Sequence, residues 1–345
     1  MQTISTGSKS SFLNRSAKPP RRRRVAAGLV AAFLIALAAT AAPIPVILDT
    51  DIGDDIDDTW ALTMLLKSPP FDLKLVTTTT GKAEYRAKIV ARMLTIAGRT
   101  DVAIGLGAGS REGTGGQVDW VRDYPLRNYP GRVLEDGVQA LIDMVNTEAS
   151  NGTPVTIIAI GPLETLNEAL TRDPGIARKA NFVGMMGSVH KGYDNKPRPE
   201  VEYNMHFIPG AKKVFAAPWQ SFAITPLDTC GLVKLSGSEF EQVKTNQDAL
   251  VQALLENYRI WSGKTNVTQL TESSVLFDTV AIYLADPGPK PLLGLETLNL
   301  SVSDRGMTTI DPAGCKMTVA TSWTDLPGYR DFLLRSLTRA TIQRR

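Results

Sequence analysis

Along this chain, short apolar runs alternate with amphipathic stretches. Apolar runs rich in β-branched residues are typical of strands buried on both faces of a sheet. They predict strands at 46–48, 73–77, 102–104, 155–160, 182–186 and 222–225. Helical spacing of apolar residues predicts helices at 59–66, 83–97, 208–216, 248–261, 277–284 and 329–341.

Strand and helix repeat in order, which favours parallel pairing through helical connections. We therefore expect an α/β fold: an open, mostly parallel (Rossmann-like) sheet with helices on both faces, formed as a single domain by residues 42–345. Residues 107–137, rich in Gly, Arg and aromatic residues, are expected to form a long surface loop.

The N-terminal segment differs in composition from the rest. Residues 1–41 hold seven of the 38 Lys and Arg residues and no Asp or Glu, and an apolar stretch at 25–39 precedes Ala39-Thr40-Ala41. This order predicts a signal peptide at 1–41 and a secreted or periplasmic protein. An uncleaved membrane anchor at 25–39 is the alternative. The remainder has 31 basic and 35 acidic residues, which gives no reason to expect nucleic-acid binding.

Six aspartates lie within the ten residues from Asp49 to Asp58, directly after the first predicted strand. So many like charges near a buried strand end are costly unless a cation offsets them. Carboxylates favour Ca²⁺ or Mg²⁺ over zinc, and the ends of parallel strands are where α/β proteins bind ligands. A solvated acidic loop that caps the next helix is the alternative.

Several other motifs are absent or incomplete. Gly263-Lys264-Thr265 lacks the first glycine of a phosphate-binding loop, because Tyr258 stands there. The chain has only two histidines, which argues against a histidine-based triad or a zinc centre. The sequence does not decide whether Cys230 and Cys315 form a disulfide.

Ordered blocks of sequence carry a family resemblance. After Val46-Ile47-Leu48-Asp49-Thr50-Asp51-Ile52-Gly53 come residues 77–81, Ile160-Gly161-Pro162-Leu163, Met185-Met186-Gly187-Ser188, Glu202-Tyr203-Asn204 and Phe277-Asp278. Together these blocks resemble the motifs of the inosine/uridine-preferring nucleoside hydrolase family. The resemblance covers roughly residues 44–340.

The resemblance implies an enzyme that holds one Ca²⁺ ion and cleaves the N-glycosidic bond of ribonucleosides to base and ribose. It implies ligands at Asp51, Asp58, Asp278 and the backbone carbonyl of Ile160. Asp57 is expected to be the general base, with Asp55 as the other catalytic candidate. The expected substrate-binding residues are Asp49, Lys82, Asn195, Glu202, Asn204 and Phe277. The resemblance does not decide whether the protein forms a homo-oligomer.

The chain departs from the family pattern at three places. Two extra residues precede Asp57-Asp58, so base and ligand roles among Asp54, Asp55, Asp57 and Asp58 stay open. Lys82 replaces an asparagine expected to touch the sugar, and Asn195 lies one residue from the position of another. Phe277 replaces the histidine linked to protonation of the leaving base.

Four aromatic residues could stack on a base or serve as packing anchors: Trp120, Tyr124, Tyr258 and Trp261. A substitute acid could come from the 107–137 segment.

Two other functions fit parts of the pattern. Asp49-Thr50-Asp51 after a strand also fits a haloacid-dehalogenase-like, Mg²⁺-dependent phosphatase, in which Asp49 would be the nucleophile. No later lysine block supports that function. Lys82 and Phe277 leave a non-catalytic, Ca²⁺-dependent nucleoside- or sugar-binding protein as the third possibility.

Overall fold

One ten-stranded sheet organises residues 42–341, the part of the chain that the computed structural model describes. Its strands are β1 (Ile44–Thr50), β2 (Phe71–Thr78), β3 (Ala103–Gly105), β4 (Val133–Leu134), β5 (Val155–Ala159), β6 (Ala180–Met185), β7 (Ser221–Thr225), β8 (Leu293–Val302), β9 (Thr308–Ile310) and β10 (Cys315–Trp323). Their order is β4-β3-β2-β1-β5-β6-β7-β10-β8-β9. Neighbours from β4 to β10 are parallel, whereas β8 pairs antiparallel with β10 and β9. The expected mostly parallel sheet is confirmed.

Helices cover both faces of the sheet, as expected. They are α1 (Asp57–Leu66), α2 (Ala83–Ile96), α3 (Val118–Val121), α4 (Gly137–Ser150), α5 (Glu164–Arg172), α6 (Ile208–Ala216), α7 (Leu227–Cys230), α8 (Gly237–Lys244), α9 (Ala249–Trp261), α10 (Thr279–Leu284) and α11 (Leu326–Thr338). Successive side chains of β1 point to opposite faces, so Val46 and Leu48 pack in one apolar core and Ile47 in the other. The first core includes residues of α1, α2, α9, α10 and α11, and the second includes residues of α4, α5 and α6.

The sequence pattern did not predict helices α3, α4, α5, α7 and α8 or strands β4, β8, β9 and β10. Helix α4 follows Asp136, whose carboxylate accepts a hydrogen bond from the Gln139 N–H at 2.9 Å and caps the helix. Strand β8 leaves several residues exposed and therefore lacks a continuous apolar run. The 107–137 segment is mostly irregular, as expected, but it contains α3 and the edge strand β4.

The signal peptide expected at 1–41 lies outside the described residues. Within 42–341, no helix is long and apolar enough to cross a membrane. Cys230 and Cys315 are both free, so the disulfide that the sequence left open is not formed.

Candidate active site

A cavity of about 380 Å³ lies where the carboxyl ends of β1, β5 and β6 continue into loops, a size in the usual range for small-molecule sites. Nine residues expected from the sequence line it: Asp51, Asp55, Asp57, Asp58, Ile160, Glu202, Asn204, Phe277 and Asp278. Asp54 and Trp261, for which the sequence left a role open, also line it, together with Met185, Tyr193 and Tyr203. Segments far apart in the sequence are therefore brought to one place.

The loop after β1 is fixed by local contacts. The Thr50 hydroxyl donates a hydrogen bond to the Asp58 carboxylate and accepts one from the Ile52 N–H at 3.1 Å. Gly53 has a φ of +113°, and a Cβ there would lie 2.6 Å from the Tyr85 ring, so this turn requires glycine. The loop then enters α1, whose first turn carries Asp57 and Asp58, where the helix dipole favours negative charge.

Three buried carboxylates form the centre of the site. Asp57, Asp58 and Asp278 each offer an oxygen, and these oxygens all lie within 4.8 Å of one another. The Asp278 N–H also donates to Asp57 Oδ2 at 3.4 Å. Burial, and then repulsion from neighbouring carboxylates, raises the pKa of all three groups well above the usual range. The same causes raise the pKa of Asp51 to about 6, although Arg86 opposes them.

This donor set fits a hard cation. The carboxylates of Asp51, Asp57, Asp58 and Asp278 and the backbone carbonyl of Ile160 all line the cavity and supply only oxygen donors. The Ile160 carbonyl accepts one hydrogen bond, from Asn204 Nδ2 at 3.3 Å, and a carbonyl has a second lone pair. A divalent ion here would replace repulsion among buried carboxylates by attraction.

Asp54 is held differently, because two cations bind its carboxylate. Lys82 Nζ lies 2.6 Å from Asp54 Oδ1, and Arg86 Nη2 lies 2.9 Å from Asp54 Oδ2. Although partial burial alone would raise it, the hydrogen bonds and charges of Lys82 and Arg86 lower the pKa of Asp54 below its usual value. Arg86 is fully buried, and it also donates to the carbonyls of Ile52 at 3.0 Å and Gly81 at 2.9 Å. It thereby joins the loop after β1 to the loop after β2. This role of Arg86 was not predicted, since nothing in the α2 pattern marks one arginine as buried.

Glu202 and Asn204 are fixed by hydrogen bonds to the loops around them. The Glu202 carboxylate accepts from the backbone N–H of Gly187 at 3.0 Å and of Asn204 at 2.8 Å. Burial raises the pKa of Glu202 to about 8, although these two bonds oppose the shift. Asn204 Nδ2 also donates to the carbonyl of Met185 at 3.0 Å. Both side chains line the cavity and are held in place by these hydrogen bonds.

Aromatic side chains form another part of the lining. Phe277 packs edge-on against Tyr193, with ring centroids 6.2 Å apart. The Trp261 indole N–H donates to the backbone carbonyl of Asp54 at 2.9 Å. Tyr203 is exposed over 48% of its surface. No sequence pattern indicated Tyr193, beyond its being an aromatic residue in a polar loop.

Three other aromatic candidates do not line this cavity: Trp120, Tyr124 and Tyr258. Arg92 lies over the Trp120 ring, 4.4 Å from its centroid, and the Tyr258 hydroxyl donates to the Glu272 carbonyl at 2.9 Å. These contacts fit packing anchors. No described residue of 107–137 lines the cavity either, so that segment contributes no candidate acid.

Three residues expected to bind substrate also lie outside the lining. Asp49 is fully buried, and its Oδ1 accepts a hydrogen bond from the Thr77 hydroxyl at 2.6 Å. Lys82 is occupied by Asp54. Asn195 is exposed, at the end of a short 3₁₀ turn, with a φ of +58°. The structure thus brings Asp58 and Asp278 into one cluster with Asp57, and it brings Asp51, Ile160, Glu202 and Asn204 to the same cavity, but not these three.

The chain is similar in sequence to several known proteins. The family model for inosine-uridine preferring nucleoside hydrolases matches residues 46–327. Pyrimidine-specific ribonucleoside hydrolase RihA from Enterobacter sp. (strain 638) is 28% identical over 217 residues, 58% of this chain and 65% of that protein. Uridine nucleosidase 1 from Arabidopsis thaliana is 25% identical over 255 residues, 70% of this chain and 71% of that protein. The match to RihA from Escherichia coli O7:K1 spans 56% of that protein, so the chain spans less than two thirds of both RihA relatives.

Solved structures share the fold. The plant nucleoside hydrolase PpNRh1 has a TM-score of 0.69 at 21% identity, covering 86% of this chain and 99% of that one. A purine-preferring ribonucleoside hydrolase from Gardnerella vaginalis has a TM-score of 0.66 at 19% identity, covering 85% of this chain and 98% of that one.

Proposed function

The chain belongs to the inosine-uridine preferring nucleoside hydrolase family, and we propose that it hydrolyses the N-glycosidic bond of ribonucleosides to free base and ribose. One observation carries this proposal. The buried carboxylates of Asp57, Asp58 and Asp278 meet in a cavity that Glu202 and Asn204 also line. A sugar with several hydroxyl groups and a neutral base suits a cavity that combines carboxylates, an amide and aromatic rings.

We propose Ca²⁺, one ion, as the cofactor. Asp51, Asp58, Asp278 and the Ile160 carbonyl would hold it. Asp57 shares a carboxylate cluster with Asp58 and Asp278, which supports a position beside the ion. When bound, such an ion supplies positive charge that acidifies a water molecule and offsets the repulsion among the carboxylates.

Asp57 is proposed as the general base. Its carboxylate is buried among the others, whereas Asp55 is exposed and accepts a hydrogen bond from the Ile56 N–H at 2.7 Å. As the oxygen of the attacking water bonds to C1′, Asp57 takes the proton, and the electron pair of the C1′–N bond passes to the base.

Glu202 and Asn204 are proposed to orient the sugar. Because the Asn204 amide nitrogen already donates to Ile160 and Met185, its Oδ1 is the atom left to accept a bond from a sugar hydroxyl. Glu202 can accept from a hydroxyl through the lone pairs that its two backbone contacts leave free.

The phosphatase alternative requires an accessible nucleophile at Asp49. That side chain is fully buried, bound to Thr77 and outside the cavity lining, so the geometry argues against it.

Product analysis tests the proposal. Residues 42–345 with Ca²⁺ are incubated with purine and pyrimidine ribonucleosides, and free base is measured by chromatography alongside ribose as reducing sugar. We expect equal amounts of both products, and none from Asp58→Asn. Saturable nucleoside binding without products would instead support a binding protein, and phosphate release from a phosphomonoester would support a phosphatase.

Export remains a separate proposal, based on the order of basic, apolar and small residues in 1–41. N-terminal sequencing of the protein recovered outside the cytoplasm should begin at Ala42. A start at Met1 would favour the membrane anchor.

A further inference from the structure

The leaving base needs a partner for the charge that it acquires. Breaking the C1′–N bond places an electron pair on the base, and hydrogen-bond donors aimed at developing charge are a large source of catalysis. Phe277, which replaces the histidine of the family pattern, has no proton to donate. Neither His190 nor His206 lines the cavity.

Most other donors in the cavity lining are already engaged. The Asn204 amide donates to backbone carbonyls, and the Trp261 indole N–H donates to the carbonyl of Asp54. Asp57, Asp58 and Asp278 form the proposed ion site, and Asp54 is bound to Lys82 and Arg86. Both carboxyl oxygens of Glu202 are bound to backbone N–H groups. The tyrosine hydroxyls of Tyr193 and Tyr203 remain, and Tyr203 is 48% exposed.

Tyr193 combines three features. Its ring packs against Phe277, with an interplanar angle of 77°, so it lies beside the position of the missing histidine. Its hydroxyl oxygen accepts a hydrogen bond from the Tyr203 N–H at 2.9 Å, which fixes the ring and strengthens the hydroxyl as a donor. No residue of the described chain accepts the hydroxyl proton. Burial, followed by the charge of Glu202, raises the pKa of Tyr193 above its usual value, so the hydroxyl keeps its proton at neutral pH.

We propose that the Tyr193 hydroxyl donates a hydrogen bond to the leaving nucleobase. This inference rests on the proposed nucleoside hydrolase function and names the group that replaces the missing histidine. The C1′–N bond breaks with its electron pair on the base, and the hydroxyl stabilises that charge without losing its proton. Water supplies the oxygen that bonds to C1′, Asp57 takes the proton of this water, and the departing base acquires a proton from solvent.

Tyr193→Phe tests the proposal, with Tyr203→Phe as the matched control. Both changes remove one hydroxyl and keep the ring. Each variant is assayed on inosine, uridine and p-nitrophenyl riboside, whose phenolate leaves without assistance. We expect Tyr193→Phe to lower kcat/KM for the nucleosides by about 10²–10³, the usual effect of removing one such donor, and to leave p-nitrophenyl riboside within about threefold. Tyr203→Phe should change neither substrate class by more than about threefold, as expected where no donor to the transition state is removed.

The dependence on leaving group separates this role from a structural one. A similar loss on nucleosides and on p-nitrophenyl riboside would show that Tyr193 only shapes the cavity, and no loss on nucleosides would also overturn the proposal. Unchanged Ca²⁺ affinity by calorimetry confirms that the variant is folded. If the wild-type protein cleaves neither substrate class, the hydrolase function itself fails, which is a different result from a wild-type enzyme with an unaffected variant.

Discussion

Asp54 and the cluster of Asp57, Asp58 and Asp278 share one cavity, but the protein's own positively charged side chains neutralise only Asp54. Asp54 forms salt bridges with Lys82 and Arg86, and its pKa is lowered. Asp57, Asp58 and Asp278 form no salt bridge within the described residues, and their pKa values are raised. The neutralised carboxylate holds two loops together. The other three either take up protons or need an external cation to stay ionised in a buried site, so Asp54 carries a structural charge whereas the cluster carries charges available to a ligand.

Removing one unpaired carboxylate should give the largest effect. We expect Asp278→Asn to abolish Ca²⁺ binding by calorimetry and to lower kcat/KM for nucleosides by at least about 10²–10³, the scale of one preorganised electrostatic group. In EDTA, the same variant should melt at a higher temperature than the wild type, because one of the repelling charges is gone. Asp304→Asn, at an exposed surface aspartate, should change none of these three quantities. A lower melting temperature for Asp278→Asn in EDTA would contradict the view that these charges repel one another.

Removing Arg86, the buried cation that neutralises Asp54, should have the next largest effect. Arg86→Met leaves carbonyls of two loops without their donor, and we expect a loss of about 3–5 kcal/mol in the free energy of unfolding, measured with urea. Arg86→Lys should not recover it, because a lysine cannot reproduce the planar set of donors. Arg172→Met, which breaks two partly exposed ion pairs, with Asp136 and Glu168, should cost no more than about 1 kcal/mol. Equal losses for Arg86→Met and Arg172→Met would remove the structural role assigned to Asp54 and Arg86.

Adding Ca²⁺ should stabilise the wild type. At a Ca²⁺ concentration one hundred times its Kd, the gain is about 2.7 kcal/mol. Thermal melting of the wild type with and without Ca²⁺ should show this gain, and Asp58→Asn should show little of it. An identical Ca²⁺ response in the two proteins would mean that the ion binds elsewhere.

Lys82 should show the smallest effect on stability. Its side chain is 33% exposed, so Lys82→Met should cost about 0–1 kcal/mol and leave Ca²⁺ affinity unchanged. The same variant tests the substrate contact that the family resemblance predicts for Lys82. A higher KM at unchanged stability would support that contact, and an unchanged KM would limit Lys82 to its partner Asp54.

Sequence patterns predicted β1, β2, β3, β5, β6 and β7, because strands buried on both faces are continuously apolar. They missed the two-residue parallel edge strand β4. They failed for the antiparallel edge, where β8 exposes several side chains and the apolar run disappears. Helix α4 could have been predicted from the sequence, because four apolar residues recur at helical spacing: Val138, Leu141, Ile142 and Val145.

The site residues likewise fall into those that could be predicted from the sequence and those that could not. The aspartates of the loop after β1 are visible as a local cluster, and Asp278 and Glu202 were found only through ordered family blocks. Arg86 and Tyr193 could not be found from either. Their positions depend on contacts between loops that are distant in sequence, and no local pattern records such contacts.

The distance along the chain between Asp57 and Asp278 has a consequence for how the protein reaches its final state. These residues are 221 positions apart, and their carboxylates meet in one cluster. An ion shared by them would be a reversible cross-link across most of the chain, favouring folded over unfolded chains by joining ends that are otherwise costly to bring together. During synthesis this cross-link cannot form until residue 278 has left the ribosome. Ca²⁺ would therefore bind a nearly complete chain and stabilise its fold in the last step of folding.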